Sequence, residues 1–382
     1  KYHRPRGLFC ATGRCPNCLC TVDGEPNVRT CVTPVRDGAR VESQNAWPSL
    51  RWDLLSLLDR LHRLMPVGFY YRTMHRPRWL WPLFESLIRR VAGLGRVDRE
   101  RGGVIRYDQQ SRHTDVAVIG GGWAGLQAAL AAAGQGADVV LVDDQRQLGG
   151  HLQYDPELAG PVDWEGLVAE VIAHPQISVL SNACVFGCYE DRLLAIQSGH
   201  RMTRLRAGRV VVATGGWDEP LVFLNNDRPG ILLSGGVQRL LTTDGCRFPG
   251  EAVIVTDNSQ GYRVARQLAE AGTRVVAVVD HNETPSGDPG GLTVHNGQTV
   301  VAARGGRHVT AAVLGSLSES AVETRVIRCR WIIQAVGLTP ATSLLAQAGS
   351  RLAFDESRGM FLVKNLADGY ATAGAVNGTR DL

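Results

Sequence analysis

Lysine is nearly missing. Only Lys1 and Lys364 occur in 382 residues, so the basic side chains are almost all arginine. No run of eighteen apolar residues is present, so no transmembrane helix is expected. The opening stretch, KYHRPRGLFC, lacks the charged-then-apolar layout of a secretory signal. It also lacks an initiator Met, which suggests a trimmed chain or one that begins within a longer protein. Without such a signal, nine cysteines argue against a disulfide framework and for a metal or redox cluster in a cytoplasmic protein. No His or carboxylate stands in a recognisable catalytic constellation, so the expected catalytic set in this chain is empty. No nucleic-acid motif occurs either. The segment up to Tyr107 nonetheless carries about 19 Lys+Arg against 9 Asp+Glu, a balance suited to an acidic partner or a phosphate group. Hydrophobic content of 44% and charged content of 20% describe a soluble globular protein long enough for two or three cores.

The stretch His113 to Asp144 organises the rest. Val116 to Ile119 reads as a buried parallel strand. Gly120, Gly121, Gly122, Trp123, Ala124 and Gly125 follow in the G-x-G-x-x-G spacing, and an Ala/Leu-rich helix runs to about Ala133. A second strand, Val139 to Val142, leads into Asp143 and Asp144. In such a βαβ unit Gly120 permits a tight turn, Gly122 lets backbone approach a pyrophosphate, and Gly125 allows helix–strand packing. The helix N-terminus offers free N–H groups to the phosphates, and Asp143 stands where an acid accepts from the adenosine ribose. The alternative is a glycine turn inside an ordinary α/β sheet. Leu148-Gly149-Gly150-His151 gives a second glycine turn, and Asn182 to Phe186, with Val185 at its centre, resembles the strand that meets adenine. Arg209 to Val212 reads as a strand ending in Ala213-Thr214-Gly215, a turn that closes this domain.

Five of the cysteines fall between Cys10 and Cys31. Cys10, Cys15 and Cys18 have the C-x4-C-x2-C spacing of plant-type [2Fe–2S] loops, and Cys31 supplies a fourth thiolate. Soft anionic sulfur stabilises ferric charge in a partly dry pocket. A tetrahedral zinc site is the alternative. Cys18 to Val22 reads as a strand that carries Cys20 as a packed thiol, Asp23-Gly24 as its turn and Val28 to Val32 as the return. From Ser43 to about Gly102 four of the eight tryptophans occur, and Leu54, Leu55, Leu57, Leu58, Leu61 and Leu64 follow helical spacing until Pro66. A second helix is predicted over Pro82 to Val91. This arm either clamps a cofactor or partner subunit or simply connects two domains.

Ala252 to Asp280 repeats the strand, turn, helix, strand, acid order, but Thr256 and Asn258 stand where glycines belong and only Gly261 is kept. Side chains there, with Asp257 beside them, oppose a pyrophosphate, so this unit is expected to be unable to bind NADPH. Trp331 to Gly337 and Tyr370 to Gly378 are expected to return to the first domain, bringing Gly374 and Ala375 beside it. The implied domains are residues 1–45, a ferredoxin-like [2Fe–2S] unit; 46–107, the arm; 108–249 with 325–382, the dinucleotide domain; and 250–324, a degenerate second nucleotide domain.

The stretches KYHRPRG, EPNVR, SQNAWPSLRWDL, PVGFYY, IRRVAGLG, ATGGWDEPLVFLNNDRPG and ATAGAVNGT resemble the alpha subunit of heterotetrameric sarcosine oxidase and related cluster-bearing amine, opine and proline dehydrogenases. The resemblance implies an α/β, glutathione-reductase-like flavoprotein body with two dinucleotide domains, preceded by the cluster domain and arm. It implies a hetero-oligomer with a beta subunit that carries FAD and the amine site, FMN at the junction of the two, and small subunits besides. The corresponding alpha subunit holds NAD in its first site. Three departures shape the expectation. The four cluster cysteines are present here, which favours one-electron export over direct reduction of oxygen. Gly374-Ala375 replaces the Gly-Asp of FAD-binding members, which favours NAD over FAD. The chain ends before the folate-binding domain that accepts formaldehyde. The expected function is that of an electron-relaying subunit of an enzyme oxidising N-methyl amino acids or other secondary amines. The alternatives are a stand-alone FAD-dependent NAD(P)H:ferredoxin-type reductase and a structural nucleotide-binding subunit.

Overall fold

The computed structural model describes residues 5–57, 68, 76–92, 107–160, 162–317 and 325–379. The expected continuation of the first arm helix through Leu58, Leu61 and Leu64 to Pro66 lies outside the described residues, as do Phe69, Tyr70 and Tyr71.

At the front, strands Leu19–Val22 and Glu25–Arg29 pair antiparallel, with Val22 opposite Glu25, and Val41–Glu42 adds a third strand. The connecting pair Asp23 and Gly24 both take positive φ, the geometry of a two-residue hairpin turn. In the arm, Asp53 caps a single turn, Leu54–Ser56, by accepting from the Leu55 N–H at 3.1 Å. The second arm helix spans Trp81–Ala92, one residue longer at each end than its apolar spacing predicts, and carries a Glu85–Arg89 pair one turn apart.

The body contains two parallel sheets. The first runs Ile177–Leu180, Val139–Val142, Asp108–Ile119, Arg201–Val212 in parallel order, then Leu193–Ser198 and Cys184–Tyr189 antiparallel. Tyr370–Thr372 pairs with Val210–Val212 and completes it. Its central strands are runs of Val, Ile and Ala because both faces are covered. Leu126, Ala129 and Ala133 of the Trp123–Ala133 helix pack on one face with Val118, Val139 and Leu141. Ala117, Val140, Val142 and Val210 fill the other.

The second sheet is wholly parallel, in the order Ile231–Leu233, Trp331–Ala335, Glu251–Thr256, Arg274–Asp280, Val294–Asn296. This corrects the expected domain limits: Ile231–Leu233 and Arg325–Arg328 belong with the second unit, and Trp331 to Ala335 does not return to the first sheet but lies between Ile231–Leu233 and Glu251–Thr256. Its apolar run suits either sheet, and only the pairing of Ile332 with both Ile231 and Val253 decides between them. Tyr370 to Thr372 does return to the first sheet. A three-stranded antiparallel sheet, Gln298–Gly305, Val309–Ser316 and Arg325–Arg328, closes the outer face of the second unit.

Candidate functional site

The first βαβ unit forms the turn its glycines predict. Gly120 has φ +107°, and a Cβ there would fall 2.3 Å from the Ala213 carbonyl oxygen. The Ala213 N–H in turn donates to Ile119 O at 2.8 Å, so the Ala213-Thr214-Gly215 turn backs directly onto the glycine loop. Thr214 is held from behind by its hydroxyl, which donates to Ala341 O at 2.9 Å. A Cβ at Gly125 would lie 1.8 Å from Gly120 O, so helix and strand approach as closely as backbone permits. Gly122, by contrast, faces open space: the nearest atom to a Cβ there is Gly150 Cα at 3.9 Å. It caps the Trp123–Ala133 helix without any side-chain hydrogen bond, which leaves the helix N-terminus to a ligand's phosphates.

The second glycine turn stacks on this loop, with the Gly149 N–H donating to Gly121 O at 2.8 Å. Gly374 lies against Ala124, where a Cβ would meet that methyl group at 2.7 Å, so Gly374 and Ala375 reach the same helix start. Asn182 and Ala183 run along the acid turn, donating to Gln145 O at 2.8 Å and Asp143 O at 2.9 Å. Val185 itself packs into the core of the first sheet.

The two acids separate. Asp143 accepts from the Gly121 N–H at 2.5 Å and the Gln145 N–H at 2.7 Å. Burial pushes its pKa up, against those two hydrogen bonds. It is a strut for the glycine loop. Asp144 keeps a carboxylate about half exposed and pairs with Arg14 at 3.5 Å. Sequence spacing assigns the ribose role to Asp143; in the structure its carboxylate accepts from the glycine loop, and Asp144 is the carboxylate paired with Arg14.

His151 lies close to Tyr154, ring centroids 5.2 Å apart, at the junction with the second unit. Burial holds its pKa below the ordinary imidazole range, partly opposed by Asp218. Asp218 accepts from the Gly235 N–H at 2.9 Å, and burial pushes its carboxyl up. Asp218, Tyr154 and Arg14 were not legible as site residues, because each sits alone in sequence and only the packing of three segments brings them together.

At the front, Cys18 Sγ and Cys31 Sγ are 3.3 Å apart, in contact but well beyond the ~2.05 Å of a disulfide. Cys10 Sγ accepts from the N–H groups of Thr12, Arg14 and Cys15 at 3.5, 3.4 and 3.3 Å. The thiols of Cys15 and Cys31 also point at it, and these bonds lower its pKa. Among the described residues no three ligand-type side chains stand at the spacing of a single-ion site. A nest of N–H groups around one sulfur of four converging thiols fits the chemistry of an anionic iron–sulfur cluster. Cys20 lies on the Leu19–Val22 strand opposite Val28, outside this group.

The loop is docked on the body. Phe9 O accepts from the Leu233 N–H at 2.9 Å, Arg6 pairs with Asp227 at 3.2 Å, and a Cβ on Gly236 would come within 2.5 Å of Cys10 O.

In the second unit the corresponding positions are filled. Asn258 caps the Ser259–Glu270 helix by accepting from the Gln260 N–H at 2.9 Å, and its amide donates to Ala335 O at 3.0 Å. Thr256 occupies the space above Gly261, where a Cβ would meet its Cβ at 2.3 Å. Asp280 is fully buried and accepts from Tyr262 OH, Ser286 N, Ser286 Oγ and Asn282 N between 2.7 and 3.0 Å.

Residues 1–46 match a 2Fe-2S iron-sulfur cluster binding domain, and residues 114–367 match the pyridine nucleotide-disulphide oxidoreductase family. The alpha subunit of sarcosine oxidase from Rhizobium meliloti (strain 1021) is 32% identical over 409 residues, covering 100% of this chain and 41% of that protein. An opine oxidase subunit from Agrobacterium tumefaciens (strain Ach5) is 25% identical over 304 residues, 69% of this chain and 60% of that one. This chain thus spans about two fifths of the length of the sarcosine oxidase relative. Among solved structures, L-proline dehydrogenase from P. horikoshii has the same fold, with a TM-score of 0.65 at 20% identity, covering 98% of this chain and 61% of that one. No described helix is long and apolar enough to cross a membrane. With one glycine-lined unit, one filled unit and a cysteine loop on the same polypeptide, the chain belongs to the pyridine nucleotide-disulphide oxidoreductase family.

Proposed function

We propose that this chain is the nucleotide- and iron–sulfur-bearing subunit of a hetero-oligomeric oxidoreductase acting on CH–NH groups, with N-methyl amino acids or similar secondary amines as substrates. Amine oxidation belongs in this reading to a partner beta subunit carrying FAD, with FMN at the junction and small subunits completing a cytoplasmic assembly. The observation that carries it is the pairing on one chain of an open glycine loop with four converging thiols, the cysteine loop being seated on Leu233 and Gly236 of the second unit and reaching the first through the Arg14–Asp144 pair. Cys10, Cys15, Cys18 and Cys31 would hold the cluster, which when bound supplies one-electron transfer.

In the first unit the free N-terminus of the Trp123–Ala133 helix would receive the pyrophosphate and Gly122 would lie beneath it. Gly120 and Gly125 set the turn, with Trp123 and Ala124 as the first helical N–H groups. Asp144 takes the ribose hydroxyls in place of Asp143, whose oxygens already accept from Gly121 and Gln145. Gly149, Gly150 and His151 border the far end, Val185 the adenine side, and Ala213, Thr214 and Gly215 the floor. Gly374 and Ala375 carry no acid for a ribityl chain, which favours NAD over FAD. The filled second unit speaks against a stand-alone NAD(P)H-dependent reductase.

Reduction of the purified complex by sarcosine, followed by electron paramagnetic resonance, tests the role. A rhombic cluster signal on turnover is the expected result. A cluster that stays oxidised while amine is consumed would sink the electron-transfer reading, and mass analysis of the acid-released nucleotide decides NAD against FAD.

A further inference from the structure

The cysteine loop and the first dinucleotide unit meet at one side chain. Arg14 lies between two of the cluster-type cysteines, and its N–H donates to Cys10 Sγ at 3.4 Å. Its guanidinium leaves the loop, stacks 4.6 Å from the ring centroid of Trp217 and pairs with Asp144 Oδ2 at 3.5 Å. Asp144 is steadied from its other side by Gln145 Nε2 at 2.6 Å, and Gln145 Oε1 accepts from Arg239 at 2.8 Å. The loop is held beside this contact by the second unit, where the Leu233 N–H donates to Phe9 O and Cys10 O is seated on Gly236. One residue therefore touches a cluster-type sulfur with its backbone and the ribose-edge acid with its side chain.

We infer that Arg14 is a positioning residue through which the ribose edge of the first site and the cysteine loop respond to each other. A ribose that takes Asp144 as its acceptor competes with the Arg14 guanidinium for the same carboxylate. Asp144 keeps its charge when a neutral hydroxyl takes it as acceptor, so what changes is how close the released Arg14 guanidinium sits to the cysteine loop. Reduction of a cluster adds negative charge, so a cation that moves nearer favours the reduced form. Moving one charge from about 10 Å to about 7 Å through an effective dielectric of about 40 changes such an equilibrium roughly twofold. For a one-electron couple that is about 15 mV, at 59 mV per tenfold. By linkage, reduction tightens nucleotide binding by the same factor. The inference rests on the proposed function, since it requires both a cluster at the thiolates and a dinucleotide at Gly122.

The test is a redox titration of the purified complex, stripped of nucleotide, monitored by electron paramagnetic resonance with and without added NAD⁺. In the wild-type protein NAD⁺ is expected to raise the cluster potential by the amount above. In Arg14→Gln the NAD⁺-induced shift is expected to fall below half, while NAD⁺ still binds. Arg14→Lys, which keeps the charge without the planar fork, should retain part of it. An equal shift in wild type and Arg14→Gln would overturn the inference, because the nucleotide's own field would then account for it. So would loss of all NAD⁺ binding in Arg14→Gln, which would make Arg14 a plain nucleotide contact. A wild-type complex without a cluster signal, or without affinity for any dinucleotide, removes the proposed function itself and is distinguishable from both.

Discussion

In the first βαβ unit the helix starts at Gly122 with no side chain over its N-terminus; in the second the helix starts at Asn258, whose own side chain occupies that place. The terminal acids differ in the same sense. Asp143 braces its glycine loop and leaves Asp144 at the open edge, whereas Asp280 has its oxygens committed to Tyr262, Ser286 and Asn282 inside the protein. A helix N-terminus needs an anion or a cap. The first unit leaves that need to a ligand, and the second meets it from within. The same supersecondary plan therefore leaves an open helix N-terminus in one place and a capped one in the other. The second unit is also fastened to the first: Arg263 of the second unit pairs with buried Asp155 at 2.9 Å, and Arg266 with Glu157 at 2.6 Å.

The sharpest way to break the contrast is to fill the open loop. Gly122→Arg is expected to abolish dinucleotide retention, read by mass after acid release, whereas Asn258→Ala at the equivalent place should leave nucleotide content unchanged. Equal loss in both would show that the second unit contributes to binding. Next in size, Asp280→Ala strands four donor groups, the fully buried Tyr262 hydroxyl among them, and should cost about 4 kcal/mol in a urea denaturation series. Hydrogen bonds from Ser286, Asn282 and Tyr262 outweigh the opposing effect of burial and lower the Asp280 pKa. Its contribution is therefore full above the ~3.9 of a free aspartate and is lost as pH falls through the lower folded value. The gap between wild type and variant should be constant from about pH 5 to 8 and narrow below about 4.

Asp155→Ala removes the partner of Arg263 and the cap of the Pro156–Ala159 turn, with an expected loss of about 3 kcal/mol. If Arg263→Leu together with Asp155→Leu restores much of that, the pair serves orientation of the two units more than net stability. The smallest effect is on the cap itself: Asn258→Ala should lower stability by about 1 kcal/mol, and Asn258→Ser should recover most of it.

Parts of the site were legible because they depend on neighbours in sequence. The strand, glycine turn and helix from Val116 to Ala133 follow from apolar runs and from backbone conformations that glycine alone adopts easily, as at Gly120. The Cys10, Cys15, Cys18 spacing marks a loop whose N–H groups converge on one sulfur. Trp331 to Ala335 was misplaced because an apolar run does not name its partner strand. Arg14 is silent in the sequence for a related reason: an arginine between cysteines carries no signal until the loop docks and its guanidinium reaches Asp144.

The order of residues alone determined two βαβ units, one rich in glycine and one not, and a four-cysteine loop ahead of them, since turn conformation and ligand spacing are local properties of the chain. Which of the two acids braces the glycine loop and which pairs with Arg14, which sheet receives Trp331 to Ala335, and how the cysteine loop sits on the body were decided only by tertiary packing. Those outcomes depend on side-chain directions and on contacts between segments up to some hundreds of residues apart, where burial and charge act through space and not along the chain.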